Sequence, residues 1–128
     1  MPGNIGLWGD LPTAGAGRSP KQILGEQAAA LDTAMQGKLY GKVGVDRDES
    51  VITVDLSIVA PYIHNYEVGI VRVRHGVLMY PLRLENLVRS EAWTTCNDEQ
   101  EFRTALTRVL QGEETKKVIS SLLIQSED

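Results

Sequence analysis

The first periodic segment of the chain predicts a helix. Ser19 is a typical N-cap, Pro20 suits the first helical position, and Gly37 is a natural stop at the C-terminal end. Between them, apolar residues recur every three or four positions, at Ile23, Leu24, Ala28, Leu31, Ala34 and Met35. This spacing places them on one face of a helix. The pattern therefore predicts one helix over residues 19–36 that packs on the rest of the domain through this face.

Two alternating segments follow and predict a hairpin. Apolar and polar residues alternate in KLYGKVGVD (38–46) and again in SVITVDLSIV (50–59). Alternation with a period of two is typical of strands that bury one face. The polar residues DRDE (46–49) join the two strands. The polar face of this hairpin carries Tyr40, Lys42, Thr53, Asp55 and Ser57.

A second hairpin is predicted around His75 and Gly76. A third strand over residues 67–74 and a fourth over residues 77–84 flank these two residues. If the turn consists of them alone, Arg72 lies opposite Met79. One face of this hairpin then carries Val71, Val73, Leu78, Tyr80 and Leu82. The other face carries Ile70, Arg72, Arg74, Val77, Met79 and Arg83.

The remaining pattern completes an α+β domain. Pro81 indicates that the fourth strand is bulged or near an edge, and a short fifth strand is expected around residues 91–95. Asn97 then caps a second helix that ends at Gly112, and a third helix follows over residues 113–125. The predicted fold is an antiparallel sheet of four to five strands in two consecutive hairpins. The N-terminal helix and the two C-terminal helices pack on one face of it.

The residues before the first helix have no such pattern. The segment MPGNIGLWGDLPTAGAGR contains five glycines and two prolines and follows neither a helical nor a strand period. We interpret residues 1–18 as a flexible leader in which Trp8, together with Leu7 and Leu11, is the part that could dock on the domain. Residues 19–128 then form a single domain, which is long enough to bury a core without metals or disulfides.

Composition and charge exclude several functions. With 13 basic and 17 acidic residues the net charge is −4, which disfavours general attraction to nucleic acid or anionic lipid. The apolar runs are too short to span a membrane, and no basic-led apolar signal segment opens the chain. A single cysteine, Cys96, cannot form an internal disulfide. The expected protein is therefore soluble and cytoplasmic, without a membrane partner.

The stretch GAGRSPKQ (15–22) is the nearest approach to a named catalytic motif. A nucleotide-binding P-loop needs Gly-x-x-x-x-Gly-Lys-Ser/Thr between a buried strand and a helix, so that successive backbone amides surround the phosphates. Here Pro12 occupies the first glycine position, Arg18 occupies the lysine position, and Pro20 removes an amide. We therefore expect a glycine-rich leader that ends at a helix start, and no nucleotide ligand.

Metal and nucleophilic sites have equally weak support. A zinc site needs three or four ligands, whereas His64 and His75 are the only histidines and Cys96 belongs to another element. His75 is explained as a turn residue. His64, between two tyrosines in YIHNY, is a candidate binding residue of a loop. No motif pairs Cys96 with a base, so neither a metal, a cofactor nor a catalytic set is predicted.

The second face of the predicted sheet is the most informative feature. It mixes arginines with apolar side chains, as the cores of protein interfaces do. We therefore predict that it binds a protein partner or a second copy of the chain. The predicted binding residues are Arg72, Arg74, Met79, Arg83 and, in the loop, His64. The alternatives are a solvated face in which Asp55 pairs with an arginine and, with Tyr40 as the sole in-strand aromatic, an RNA-binding face.

Two functions remain open from the sequence. The first is a small non-catalytic protein-binding module, acting as an adaptor, a regulator or an immunity-like inhibitor, with a homodimer as one form of self-association. The second is a small enzyme whose site assembles around His64, Asp55 and Arg72. A concave pocket that contains His64 and a carboxylate with a perturbed pKa would favour the enzyme, and a flat, partly apolar face would favour the module.

Overall fold

The computed structural model describes residues 6–127 of the chain. Its helices are α1 (Pro20–Met35), α2 (Glu99–Leu110) and α3 (Glu113–Ser126). Its strands are β1 (Tyr40–Asp48), β2 (Val51–Ala60), β3 (Tyr66–His75), β4 (Leu82–Asn86) and β5 (Thr94–Cys96). Two short 3₁₀ turns are found at Gly6–Trp8 and Pro61–Ile63.

The strands form one antiparallel sheet in the order β1-β2-β3-β4-β5, so that each strand pairs with its neighbours in sequence. Together with one helix before the sheet and two after it, this arrangement confirms the predicted α+β class. A register shift between Leu56 and Ser57 marks a bulge in the pairing of β2 with β3, next to Ile70. β1 pairs with β2 over its whole length without such a shift.

One face of the sheet forms the core with the three helices. Val54 pairs with Val73 and Val73 with Leu84, and all three side chains are buried. The helices contribute Ile23, Leu24, Phe102, Ala105, Leu106, Val109 and Leu122 to the same cluster. We call the opposite side the open face; it is defined by Thr53, Asp55, Arg72, Arg74, Arg83 and Glu85, because strand residues alternate between the two faces.

Helix α1 has the boundaries that its sequence indicates. The Ser19 hydroxyl accepts a hydrogen bond from the Gln22 amide at 3.1 Å, and the Gln22 side chain accepts one from the Ser19 amide at 2.8 Å. This reciprocal pair is a capping box that satisfies two otherwise free amides. At the other end Gln36 and Gly37 are left-handed, with φ of 52° and 86°, and the helix stops.

The predicted pairing of β3 with β4 is wrong. Arg72 pairs with Glu85 rather than with Met79, and β4 begins at Leu82 rather than at residue 77. Residues 76–81 form a loop in which Met79 has a φ of 71°. The physical reason is Pro81, which has no amide hydrogen to donate to a ladder, so that regular pairing starts only after it.

The loop also changes the burial of residues that the predicted register had assigned to one or the other face of the sheet. Leu78, expected on the apolar face, is 81% exposed, and Val77 is 88% exposed. Two boundaries differ in smaller ways. β5 covers only Thr94–Cys96, and the cap of α2 is Asp98, whose carboxylate accepts from the Glu101 amide at 2.8 Å.

The predicted leader is described only in part, because residues 1–5 lie outside the described residues. In the remainder Leu7 and Trp8 are exposed, as is Leu11. Arg18, the last leader residue, forms an ion pair with Glu26 of α1 at 3.0 Å. The flexibility of the leader stays a prediction.

Candidate functional site

Three strands place Asp55, Arg72 and Glu85 in one row on the open face. In the register of the strands, Asp55 lies opposite Arg72, and Arg72 lies opposite Glu85. Arg72 Nε donates to Asp55 Oδ1 at 2.9 Å, and its Nη2 donates to Asp55 Oδ2 at 3.3 Å. These hydrogen bonds and the Asp55 charge raise the pKa of Arg72, and Glu85 adds to the shift. The charge of Arg72 is thus balanced within the sheet, as the solvated-face alternative expects of Asp55.

The next row brings two arginines together without such a balance. Arg74 of β3 pairs directly with Arg83 of β4, and threonines flank them, Thr53 on β2 and Thr95 on β5. Directly opposite residues of an antiparallel pair have Cβ atoms about 4.5–5.5 Å apart. Both arginines are exposed, and within residues 6–127 neither forms an ion pair. We call Arg74 and Arg83 the arginine pair.

An aromatic side chain adjoins the arginine pair. The Arg74 guanidinium carbon lies 4.9 Å from the centre of the Trp93 ring, which is a cation–π distance. Trp93 comes just before β5 and is half-buried. Sequence reasoning missed this residue and named only Tyr40 as an aromatic on this face. No local signal relates position 74 to position 93, because the contact depends on how β4 and β5 follow β3.

The other half of the open face is largely closed. Lys42 and Glu67 form an ion pair at 3.2 Å across β1 and β3, and Ser57 and Val59 between them are buried. A Cβ added at Gly69 would lie 3.0 Å from the Leu87 side chain, so this leucine packs on the strand where a glycine leaves room. The accessible part of the face is therefore the end that carries the arginine pair.

Of the other predicted binding residues, Met79 lies in the loop next to the arginine pair, and His64 lies apart from this end of the face. Met79 belongs to the loop 76–81, partly buried, and does not pair with a strand residue. His64 is exposed at the end of the 3₁₀ turn Pro61–Ile63, with a φ of 54°. From Asp55 to the end of β2 at Ala60 the strand advances five positions, or about 16 Å. The structure thus brings Asp55 and Arg72 together and leaves His64 at the far end of the sheet.

A polar cleft of about 480 Å³ lies on the helical side of the sheet. Asn86, Arg89 and Glu91 line it from the connection after β4, opposite Arg108 of α2. The Asn86 side-chain oxygen accepts from the amides of Val88 and Arg89, and Arg89 lies 3.7 Å from Glu91. These polar groups therefore hold the connection itself, and none of the predicted site residues lines the cleft.

The thiol and the metal candidates add no chemistry to the face. Cys96 is buried on the core side of β5, and burial raises the pKa of its thiol, with Glu101 and Asp98 adding to the shift. Such a thiol is a poor nucleophile because its thiolate is disfavoured. Over residues 6–127, no group of three or more His, Cys, Asp or Glu side chains is arranged to hold a metal ion.

Comparison with known proteins adds no relative. The chain matches no protein-family model, no curated protein and no solved structure. In the part of the chain that the structure describes, no helix has both the length and the apolar character that crossing a bilayer requires.

Proposed function

We propose that the chain is a small non-catalytic protein-binding module that binds an acidic segment of a partner on its open face. Arg74 and Arg83 are the anchors of this site, and Trp93 forms its aromatic side. Arg72 borders the site. The role that this assigns to the chain is that of an adaptor, a regulator or an immunity-like inhibitor.

The observation that carries the proposal is that Arg74 lies directly opposite Arg83 and that no acidic side chain in the described part of the chain, residues 6–127, forms an ion pair with either. Like charges opposite each other on adjacent strands destabilise a sheet. A carboxylate that bridges the two guanidiniums removes this repulsion and gains charge-assisted hydrogen bonds. Arg72, one row away, differs in that Asp55 already occupies two of its donors.

The surroundings of the arginine pair support a protein partner. Arginine and tryptophan are enriched at the centres of protein interfaces. The loop 76–81, which connects Arg74 to Arg83 along the chain, exposes Val77 and Leu78 almost completely. Large apolar side chains at this exposure are not required by a solvated turn, and they offer an apolar rim to a partner.

Nucleic acid fits the same surface less well. A phosphate backbone carries a charge at every nucleotide, and a bound strand would extend from the arginine pair over neighbouring residues. The adjacent row carries Asp55 and Glu85, and the net charge of the chain is −4. A peptide with one or two carboxylates can satisfy the arginine pair without approaching these acidic groups.

The enzyme hypothesis has no comparable support. It requires His64 to join Asp55 and Arg72, and the length of β2 separates the histidine from the ion pair. In addition, the Asp55 carboxylate accepts two hydrogen bonds from Arg72, which favours a structural role.

The experiment is a selection of random peptides displayed on phage against the whole chain. We expect the recovered peptides to be enriched in Asp and Glu, and the variant Arg74→Glu/Arg83→Glu to weaken their binding by at least about 2 kcal/mol. In a Trp8→Phe background Trp93 is the remaining tryptophan, so its fluorescence reports binding at the site itself.

The matched control is Lys21→Glu/Lys116→Glu, which reverses two exposed charges near the first turns of α1 and α3. Glutamate suits the N-terminal turns of helices, so this variant changes the net charge equally at little cost to the fold. Equal loss of peptide binding in both variants would show that the net charge of the chain, and not the arginine pair, determines the binding. Recovery of peptides without acidic residues, or binding of single-stranded RNA that depends on the arginine pair, would contradict the proposal.

A further inference from the structure

The outer edge of β1 is a long strand that pairs with no other strand among residues 6–127. β1 lies at one end of the strand order and spans nine residues, whereas β5 at the other end spans three. An edge strand presents free N–H and C=O groups that can pair with another strand, and proteins commonly block such edges with prolines, bulges or short lengths. Over Tyr40–Asp48 the pairing with β2 is continuous and the strand contains no proline, so this edge has neither a bulge nor a proline; it does carry the charged residues Lys42, Asp46, Arg47 and Asp48.

The sequence of β1 is complementary to itself in one antiparallel register. When Gly44 lies opposite Gly44 of a second copy, Lys42 lies opposite Asp46 on the open face, and the same pair occurs twice by symmetry. On the core face Val43 then lies opposite Val45. Opposite charges and paired β-branched side chains are the cross-strand contacts that stabilise antiparallel strands.

Neighbouring registers lack this match. A two-fold axis through Val45 places Val43 opposite Arg47, and an axis through Val43 places Lys42 opposite Gly44. An axis between two residues would bring the core face of one copy beside the open face of the other, because a one-residue shift reverses every side chain. Of these registers, only the one about Gly44 places Val43 opposite Val45 and, at the same time, Lys42 opposite Asp46.

The surroundings of β1 leave room for this pairing. Val45 is 50% exposed on the core face of the edge, so a large apolar group there lacks cover. Helix α1 lies close against β1 at Gly41, next to Ala28. In the register about Gly44, Gly41 lies opposite Arg47 of the second copy, and the two α1 contact points are six positions, about 20 Å, apart along the strand.

We propose that two copies of the chain associate through β1 about a two-fold axis at Gly44, which joins their sheets into one continuous antiparallel sheet. The contact is isologous, as in most homodimers, because each copy contributes the same residues. It differs from the arginine pair, which lies on β3 and β4. The partner of β1 is a second copy of the chain, and the partner of the arginine pair is a different protein.

Sedimentation equilibrium of the whole chain tests this proposal. We expect a monomer–dimer equilibrium at micromolar concentrations for the unaltered chain. Asp46→Lys and Lys42→Asp each place like charges opposite one another twice, and we expect each variant alone to dimerise about tenfold more weakly, or worse. An equimolar mixture of the two variants restores both opposite-charge pairs between the copies. The heterodimer should recover most of the original affinity, because Lys42→Asp also removes the Lys42–Glu67 ion pair within its own copy. Asp10→Lys makes the same charge change in the exposed segment before α1 and should leave the dimer intact.

A cross-link tests the register. A Cβ at Gly44 meets no atom within 4 Å, so Gly44→Cys fits the monomer and, in a dimer, places two thiols on the symmetry axis. Mild oxidation should give a covalent dimer with Gly44→Cys and little with Asp48→Cys, which lies opposite Tyr40.

A chain that stays monomeric at a few hundred micromolar, a dimer that Asp46→Lys leaves unchanged, or equal cross-linking at both positions would overturn the proposal. The Arg74→Glu/Arg83→Glu variant should dimerise normally, which separates the two surfaces.

Discussion

Ala28 of α1 lies directly against Gly41 of β1. A Cβ built at position 41 would come within 2.5 Å of the Ala28 Cα and 2.7 Å of its Cβ. The helix therefore approaches the sheet at a point where neither residue has a side chain larger than a methyl group. This contact determines how closely the N-terminal helix packs on the first hairpin.

Gly41→Ala should consequently destabilise the fold. The added methyl group meets backbone atoms of α1, which cannot move aside as a flexible side chain would, and overpacking of this kind costs about 1–3 kcal/mol. Gly44→Ala is the matched control on the same strand, because a Cβ there meets nothing within 4 Å. Urea unfolding measures both. Equal effects of the two substitutions would mean that α1 does not contact β1 at Gly41.

Leu24→Ala should cost about 2–5 kcal/mol of unfolding free energy, as expected for a buried leucine. Leu24 is fully buried in the core cluster, whereas Leu31 of the same helix is only partly buried. We therefore expect a smaller loss from Leu31→Ala, although the helical period alone treats both leucines alike. A larger loss at Leu31 in denaturant unfolding would indicate that α1 is rotated from its described orientation.

Asp55→Asn should strengthen binding of acidic peptides, provided that the arginine pair is the proposed site. The substitution removes the carboxylate that neutralises Arg72 and leaves a third guanidinium beside the pair. We expect peptide affinity to rise a few-fold in titrations that follow Trp93 fluorescence. The Asp55 and Arg72 side chains are 35% and 36% exposed, so the loss of stability should stay below about 1 kcal/mol. Weaker peptide binding in a folded Asp55→Asn variant would count against the site.

Alkaline pH should destabilise the chain in part through Cys96. Burial raises the pKa of the Cys96 thiol in the folded protein, so the unfolded chain releases this proton first. The stability due to the neutral thiol is complete below the unfolded pKa of about 8.5, and it is lost as the pH rises toward the folded pKa. Between roughly pH 8 and 10, the free energy of unfolding measured in urea should therefore fall less steeply for Cys96→Ala than for the unaltered chain. Burial also raises the pKa of Tyr80, with Glu99 and then Cys96 adding to the shift, so most of the Tyr80 contribution is common to both proteins. Parallel pH profiles would show that Cys96 is solvated.

The element pattern of this protein was determined by its sequence. A helical period between Ser19 and Gly37, strict alternation in the segments that became β1 and β2, and apolar stripes after position 97 follow from side-chain geometry within a few residues. These local rules predicted the antiparallel α+β class and placed Asp55 and Arg72 on one face. The structure agrees because the core needs one apolar face from every element.

Only the tertiary structure decided which side chains meet across strands. The apolar residues Val77 and Leu78 fit a strand as well as a loop, and the absence of an amide hydrogen at Pro81 moved the start of β4 to Leu82. Because of that shift, Glu85 rather than Met79 lies opposite Arg72, and Arg83 lies opposite Arg74. The contact of Trp93 with Arg74 depends on the same register and on the turn between β4 and β5. Register is a long-range property, because several pairings satisfy the local alternation and the packing of the whole sheet selects one.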